Sequence, residues 1–199
     1  MHTYLHSVLP TNISKPYTNK ALMSGFTSIE LMVTVAVLAI LAALAAPSFS
    51  SLTEKWRIMQ TVEAMKSSLM LARSEAIKRG GNVYLEKLPK TTPGCITDGT
   101  NQDWDCGWVV FVDTNGNKRW NAGEEIQRYT TPTDILVTRT RSGVTIRVDQ
   151  WGMMDGANLI GFTVSPQSTN LSSPATKGIC MSAGGRIRII AQEEVPCTS

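Results

Sequence analysis

The sequence predicts an α+β fold in which one long N-terminal helix lies on antiparallel β-sheet. Three observations carry that expectation. A nearly uncharged apolar run lies close to the N-terminus, a segment with apolar residues at every third or fourth position follows it, and beyond a Gly-Gly pair only short alternating runs remain. The chain has 199 residues, 42% hydrophobic and 18% charged. It is too apolar for disorder, and about one domain long.

The apolar run covers residues 26–46, where Glu30 is the only charge. A helix of that length crosses roughly 30 Å of hydrocarbon, which argues against a fully cytosolic enzyme. Residues 1–25 hold Lys15 and Lys20 and no acid, so this leader belongs on the cytoplasmic side. A secretory signal would place small residues after its apolar stretch; here Ser24 and Gly25 precede it. Glu30 inside the run costs about 2–3 kcal/mol on insertion scales and calls for a partner.

Gly25-Phe26-Thr27-Ser28-Ile29-Glu30-Leu31-Met32 resembles the processing site of type IV prepilins. That resemblance implies that a prepilin peptidase cuts after Gly25, that Phe26 becomes the methylated amino terminus, and that Glu30 pairs with the terminal amine of a neighbouring subunit during assembly. A carboxylate and an ammonium that meet in lipid relieve each other's desolvation. Pro47 falls where pilins commonly kink the helix. Two features depart from the pattern: Ser28 replaces the commoner Leu, and the leader is 25 residues long. A start at Met23 would leave a leader without positive charge, so an upstream start is expected.

Residues 51–79 read as the helix's continuation. Ile58, Val62, Met65, Leu69, Ala72 and Ala76 form one apolar stripe at spacings of 3 and 4, and Gly80-Gly81 stops it. The element from 26 to 79 would be about 80 Å long at helical rise. Ala72-Arg73-Ser74-Glu75-Ala76-Ile77-Lys78-Arg79 resembles the helix end of the GspH/FimT group of minor pilins and pseudopilins, a segment whose implied role is packing. The expected organisation is a cleaved leader at 1–25, a membrane and assembly helix at 26–46, its amphipathic continuation at 47–80, and a β-rich globular domain at 81–199.

Strands are expected at 82–88, 107–112, 125–129, 135–140, 144–148, 159–164, 178–181 and 186–190, separated by Gly, Pro, Asn and Asp turns. Gly107-Trp108-Val109-Val110-Phe111-Val112-Asp113-Thr114-Asn115-Gly116-Asn117 resembles the strand-and-turn signature of the same group. Asp113, Asn115, Asn117 and Glu124 also occupy positions 1, 3, 5 and 12 of a calcium-type loop. Lys118 stands where such a loop has Gly, and Arg119 adds a second cation. Asn and Gly are equally what a tight turn requires, so a turn without metal is expected.

All four cysteines, Cys95, Cys106, Cys180 and Cys197, follow the apolar run. No CxxC occurs, and His2 and His6 both lie in the leader, so no metal or other cofactor is expected. In an exported domain two disulfides are the natural reading. Cys95–Cys106 and Cys180–Cys197 is the favoured pairing, because each closes a short loop containing Gly or Pro. Each bridge contributes roughly 2–4 kcal/mol. The globular region has no His, no G-x-S-x-G, no P-loop and no carboxylate pair spaced for acid–base work; a structural or binding role is expected in place of catalysis.

Charge is unevenly distributed. Residues 81–127 carry 4 Lys or Arg against 7 Asp or Glu, whereas residues 128–190 carry 7 against 3. A polyanion would therefore meet the second half. Within it, Gly184-Gly185-Arg186-Ile187-Arg188-Ile189-Ile190 alternates as a strand does, with Arg186 and Arg188 on one face and Ile187 and Ile189 towards the core. Two guanidiniums about 7 Å apart approximate the spacing of successive phosphates. The Ser-, Thr- and Pro-rich stretch 165–177 could bring Lys177 alongside.

Gly185-Arg186-Ile187-Arg188 matches the G-R-x-R motif of FimT-type minor pilins, which bind DNA during natural transformation. The resemblance implies a single-pass inner-membrane protein with its C-terminal domain in the periplasm, later incorporated into a pilus at the cell surface. It implies other major and minor pilins as partners through the N-terminal helix, and double-stranded DNA as a partner through Arg186 and Arg188, to which Lys177 is added from its position in the sequence. The alternative is a purely structural subunit, either a minor pilin that initiates assembly or a GspH-like pseudopilin of type II secretion.

Overall fold

A computed structural model describes residues 25–95, 97, 99–155, 160–182 and 185–197, the side chains of 45–48 apart. The leader, residues 1–24, lies outside the described residues. The described residues divide into two compact units, one ending at Ala45 and the other beginning at Ala46. In the first, Thr27 caps α1 (Ser28–Arg79), its hydroxyl accepting the Glu30 N–H at 3.3 Å. Thr27 and Glu30 hold the Ncap and N3 positions of a capping-box sequence. From Phe26 to Leu44 every residue is exposed. Among the described residues no single helix is long and apolar enough to cross a membrane; Ser28–Leu44 and Phe49–Arg79 taken together qualify by length and composition. The helical assignment continues through Pro47, whose side chain lies outside the described residues.

The second unit holds the rest of α1 and eight strands in two four-stranded antiparallel sheets. The strands are β1 (Val83–Lys87), β2 (Trp108–Val112), β3 (Glu125–Tyr129), β4 (Ile135–Arg139), β5 (Thr145–Val148), β6 (Ile160–Pro166), β7 (Lys177–Met181) and β8 (Ile187–Ile190). Their order is β3-β2-β1-β5 in one sheet and β4-β6-β7-β8 in the other. The expected stripe is fully buried: Ile58, Val62, Met65, Leu69, Ala72 and Ala76 are inaccessible. It joins one core with Val83, Leu85, Trp108 and Val110 of the first sheet and Val137, Phe162, Val164 and Ile179 of the second.

Polar groups fix the helix against the first sheet. Ser68 Oγ accepts the Trp108 indole N–H at 2.9 Å and donates to Gln127 Oε1 at 2.9 Å. Ser68 and Trp108 are buried, and their polar groups would be costly to leave unpaired.

The far face of each sheet is covered by an irregular segment stapled with a disulfide. Cys95–Cys106 anchors the β1–β2 connection over Tyr84, Val109 and Phe111. Cys180–Cys197 ties the C-terminal tail over Ile190. The second bridge holds the tail beside the strand that carries the basic motif.

Candidate nucleic-acid interface

The basic motif lies on the β7–β8 hairpin at one edge of the second sheet. Met181 pairs with Ile187 and Cys180 with Arg188, and beyond them the Ser182 N–H donates to the Arg186 carbonyl at 3.0 Å. Gly185 closes the turn with φ +77°, its N–H donating to the Ser182 carbonyl at 2.8 Å. A left-handed glycine at the end of a three-residue hairpin loop matches the twist of the flanking strands. Arg186 and Arg188 are two residues apart on one side of this hairpin, and both are exposed. Among the described residues neither has an ion-pair partner; Glu193 and Glu194 line a surface cavity together with Arg188.

The core-facing alternation holds only in part. Ile187 packs against the core, but Ile189 is 39% exposed, and the buried residue is Ile190, beneath the disulfide-bonded tail. β8 is an edge strand, so its open side faces solvent where an inner strand would meet a neighbour.

The other cations do not gather here. Lys177 begins β7 and shares the side of Ile179, opposite to that of Cys180 and its cross-strand partner Arg188. Arg139 is only 7% exposed, donates to the carbonyls of Gly143 and Thr145, and lies 5.8 Å from the Trp104 ring centre; burial pushes its guanidinium pKa down. Arg128 stacks 4.5 Å over Trp120 and pairs with Glu125. Arg147 is exposed, but on β5 of the other sheet.

One arginine that the charge count passed over turns out to support the motif. Arg73, in the last turns of α1, donates from Nη1 to the Gly185 carbonyl at 3.0 Å. A side chain on Gly185 would collide with the Arg73 guanidinium. The two segments singled out separately in the sequence, the helix end and the G-R-x-R turn, are thus in direct contact.

The calcium-like turn has a different character. Asp113 accepts the N–H groups of Gly116 and Lys118 at 2.8 and 2.9 Å. Glu124 accepts the Thr114 hydroxyl and N–H on one oxygen, and the Asn121 N–H and side-chain amide on the other. The Thr114 hydroxyl above all, then its N–H and the two Asn121 donors, hold the Glu124 carboxyl down at about 2 against the opposing effect of burial. Asn115 and Asn117 each accept the N–H two residues on. The oxygens a cation would need are thus occupied by donors of the loop itself, and no group of metal-ligating side chains occurs among the described residues.

One helix packed on antiparallel sheets is an architecture shared with type IV pilin-like structures. A family model described as type II transport protein GspH matches residues 61–185, and the chain belongs to that family. A fimbrial protein of Pseudomonas aeruginosa is 38% identical over 146 residues, covering 73% of this chain and 79% of that one. Pilin-like protein PilA1 of Thermus thermophilus is 31% identical over 101 residues, 51% of this chain and only 55% of PilA1. The crystal structure of the Pseudomonas aeruginosa type IV minor pilin FimU superposes with a TM-score of 0.52 at 16% identity, covering 70% of this chain and 98% of FimU, a likeness of fold.

Proposed function

We propose that this chain is a minor type IV pilin that binds DNA without sequence preference through Arg186 and Arg188, for uptake in natural transformation. The observation that carries the reading is the hairpin 182–188. Its two guanidiniums are exposed on one side, free of ion pairs among the described residues, and set on a turn anchored by Arg73. Guanidinium forks suit phosphate oxygens, and such contacts follow the backbone without reading sequence. Lys177 stays outside this site.

The remaining parts of the reading rest on the N-terminal motif. A prepilin peptidase cuts between Gly25 and Phe26, Phe26 is methylated, and Glu30 serves assembly with other pilins. The chain sits in the inner membrane by its helix, with residues 81–199 in the periplasm, until it enters the filament. The match to the GspH family favours one alternative, a structural pseudopilin of type II secretion, in which Arg186 and Arg188 are a solvated strand edge.

Titrating the full-length chain in detergent micelles against a fluorescent duplex separates the two. The expected result is binding that weakens steeply with salt and is lost in Arg186→Gln/Arg188→Gln, with the salt slope reduced by about 1 per arginine. A folded wild-type chain that binds no duplex at low salt leaves the structural reading.

A further inference from the structure

Trp151 is 74% exposed in the turn that follows β5. The turn is well built: Asp149 Oδ1 accepts the N–H groups of Trp151 and Met153, and the Gly152 N–H donates to the Asp149 carbonyl. An indole held in solvent on an ordered turn presents a flat apolar face with a polar N–H at its edge.

Its surroundings differ from those of the chain's other strongly exposed tryptophan. Trp56 lies on α1 among Leu52, Met59 and the stem of Lys55, a surface almost wholly apolar. Trp151 shares a shallow cavity with Arg147, Asn82 and Gln150. On its other side Gly152, at φ +73°, lies so close to Arg73 that a Cβ there would stand 3.1 Å from Arg73 Nε. The same Arg73 donates to the Gly185 carbonyl. One guanidinium side chain therefore clamps the Trp151 turn and the Arg186 turn together, at the C-terminal end of α1.

An apolar protein partner is suited to the Trp56 surface. An exposed ring that shares its cavity with Arg147, on a turn that Arg73 joins to the Gly185–Arg186 turn, fits a ligand with flat π-faces along a chain of negative charges. That is single-stranded nucleic acid. A closed duplex offers only backbone and groove, its base faces being stacked on one another.

We propose that Trp151 is a base-stacking platform, adjoined to the G-R-x-R turn through Arg73, which gives the site a preference for unpaired DNA. The inference rests on the DNA-binding reading above. Arg73 acts in it as a positioning residue.

The test titrates the full-length chain in micelles with fluorescent oligo(dT) and, separately, with a duplex whose ends are closed by hairpins. Trp151→Ala is expected to weaken oligo(dT) binding about tenfold or more and to change closed-duplex binding less than twofold, since stacking contributes only where a base face is free. Trp151→Tyr should restore most of the loss, and oligo(dT) should quench wild-type tryptophan emission more than that of Trp151→Tyr. Arg186→Gln/Arg188→Gln should weaken both ligands. If Trp151→Ala binds both ligands as wild type does, or weakens both equally, the platform is overturned while the basic motif stands. If Trp151→Ala leaves DNA binding intact but lowers incorporation into filaments, the ring is a contact for a neighbouring protein and the proposal fails. If wild type binds neither ligand, both readings fall together.

Discussion

Two turns of this chain look like binding motifs, and they differ in what their polar groups have left to give. Between Asp113 and Glu124 the carboxylates and asparagine carbonyls accept hydrogen bonds from the loop's own N–H and O–H groups. In the hairpin that carries Arg186 and Arg188 the N–H groups of Ser182, Gly185 and Arg186 are paired, but the two guanidiniums have no ion-pair partner among the described residues. The first loop uses its charge to hold its own shape; the second is shaped by backbone, glycine and Arg73, which leaves its charge for something else. A motif's residue types are thus a weaker guide to binding than the remaining hydrogen-bonding capacity at the site.

Each turn can be perturbed without the other. The largest effect is expected from Arg186→Gln/Arg188→Gln, which should reduce duplex affinity at low salt by at least tenfold while the melting temperature stays near wild type, because exposed surface substitutions typically change stability by less than about 0.5 kcal/mol. A large loss of stability in that variant would mean the arginines are structural. Asp113→Ala should do the reverse. Leaving the N–H groups of Gly116 and Lys118 without their acceptor should cost about 2 kcal/mol and lower the melting temperature by roughly 4–8 °C, with DNA affinity unchanged.

Gly185→Val should join the two classes with a smaller change in each. A β-branched residue at φ +77° costs about 1–2 kcal/mol and displaces Arg73. Melting should fall by roughly 2–8 °C and duplex affinity by several-fold, since both arginines remain but their carrier shifts. Unchanged affinity in a folded Gly185→Val chain would show that the turn's geometry does not matter to binding.

Much of the scaffold was legible because helix and strand periods are local. The buried stripe from Ile58 to Ala76 follows from spacing alone, and all eight strands fall within one or two residues of their expected positions. The division into two sheets was not legible, because it depends on pairings such as β1 with β5 that join distant segments. For the candidate site, Arg186 and Arg188 could be read from the motif, but their support could not. Arg73 is 112 positions from Gly185, and nothing in its own segment names that partner. Lys177 failed for a simpler reason: its side of the strand is fixed by the register of β7 against β8, which a stretch rich in Ser, Thr and Pro does not specify. Arg139, counted among the basic half, is spent on two carbonyls beneath Trp104.

The mildest perturbation tests the self-satisfied turn by pH. The Glu124 carboxyl is held at about 2, below its ordinary value of 4.5, chiefly by the Thr114 hydroxyl. A carboxylate whose pKa is depressed on folding stabilises the native state above its unfolded pKa, and that contribution fades as pH falls towards the folded one. Its loss is therefore expected between about pH 5 and pH 2, with nothing changing near neutrality. Glu124→Gln keeps one acceptor oxygen but sets an amide N–H against donors from Thr114 or Asn121, so it should melt lower than wild type at pH 7. The two melting curves should converge as the pH is lowered through that window, the wild type falling more steeply. Parallel curves would mean that the Glu124 charge contributes nothing to the turn. DNA affinity at pH 7 should be the same in both chains, because the loop joins β2 to β3 in the first sheet whereas the hairpin that carries Arg186 and Arg188 belongs to the second.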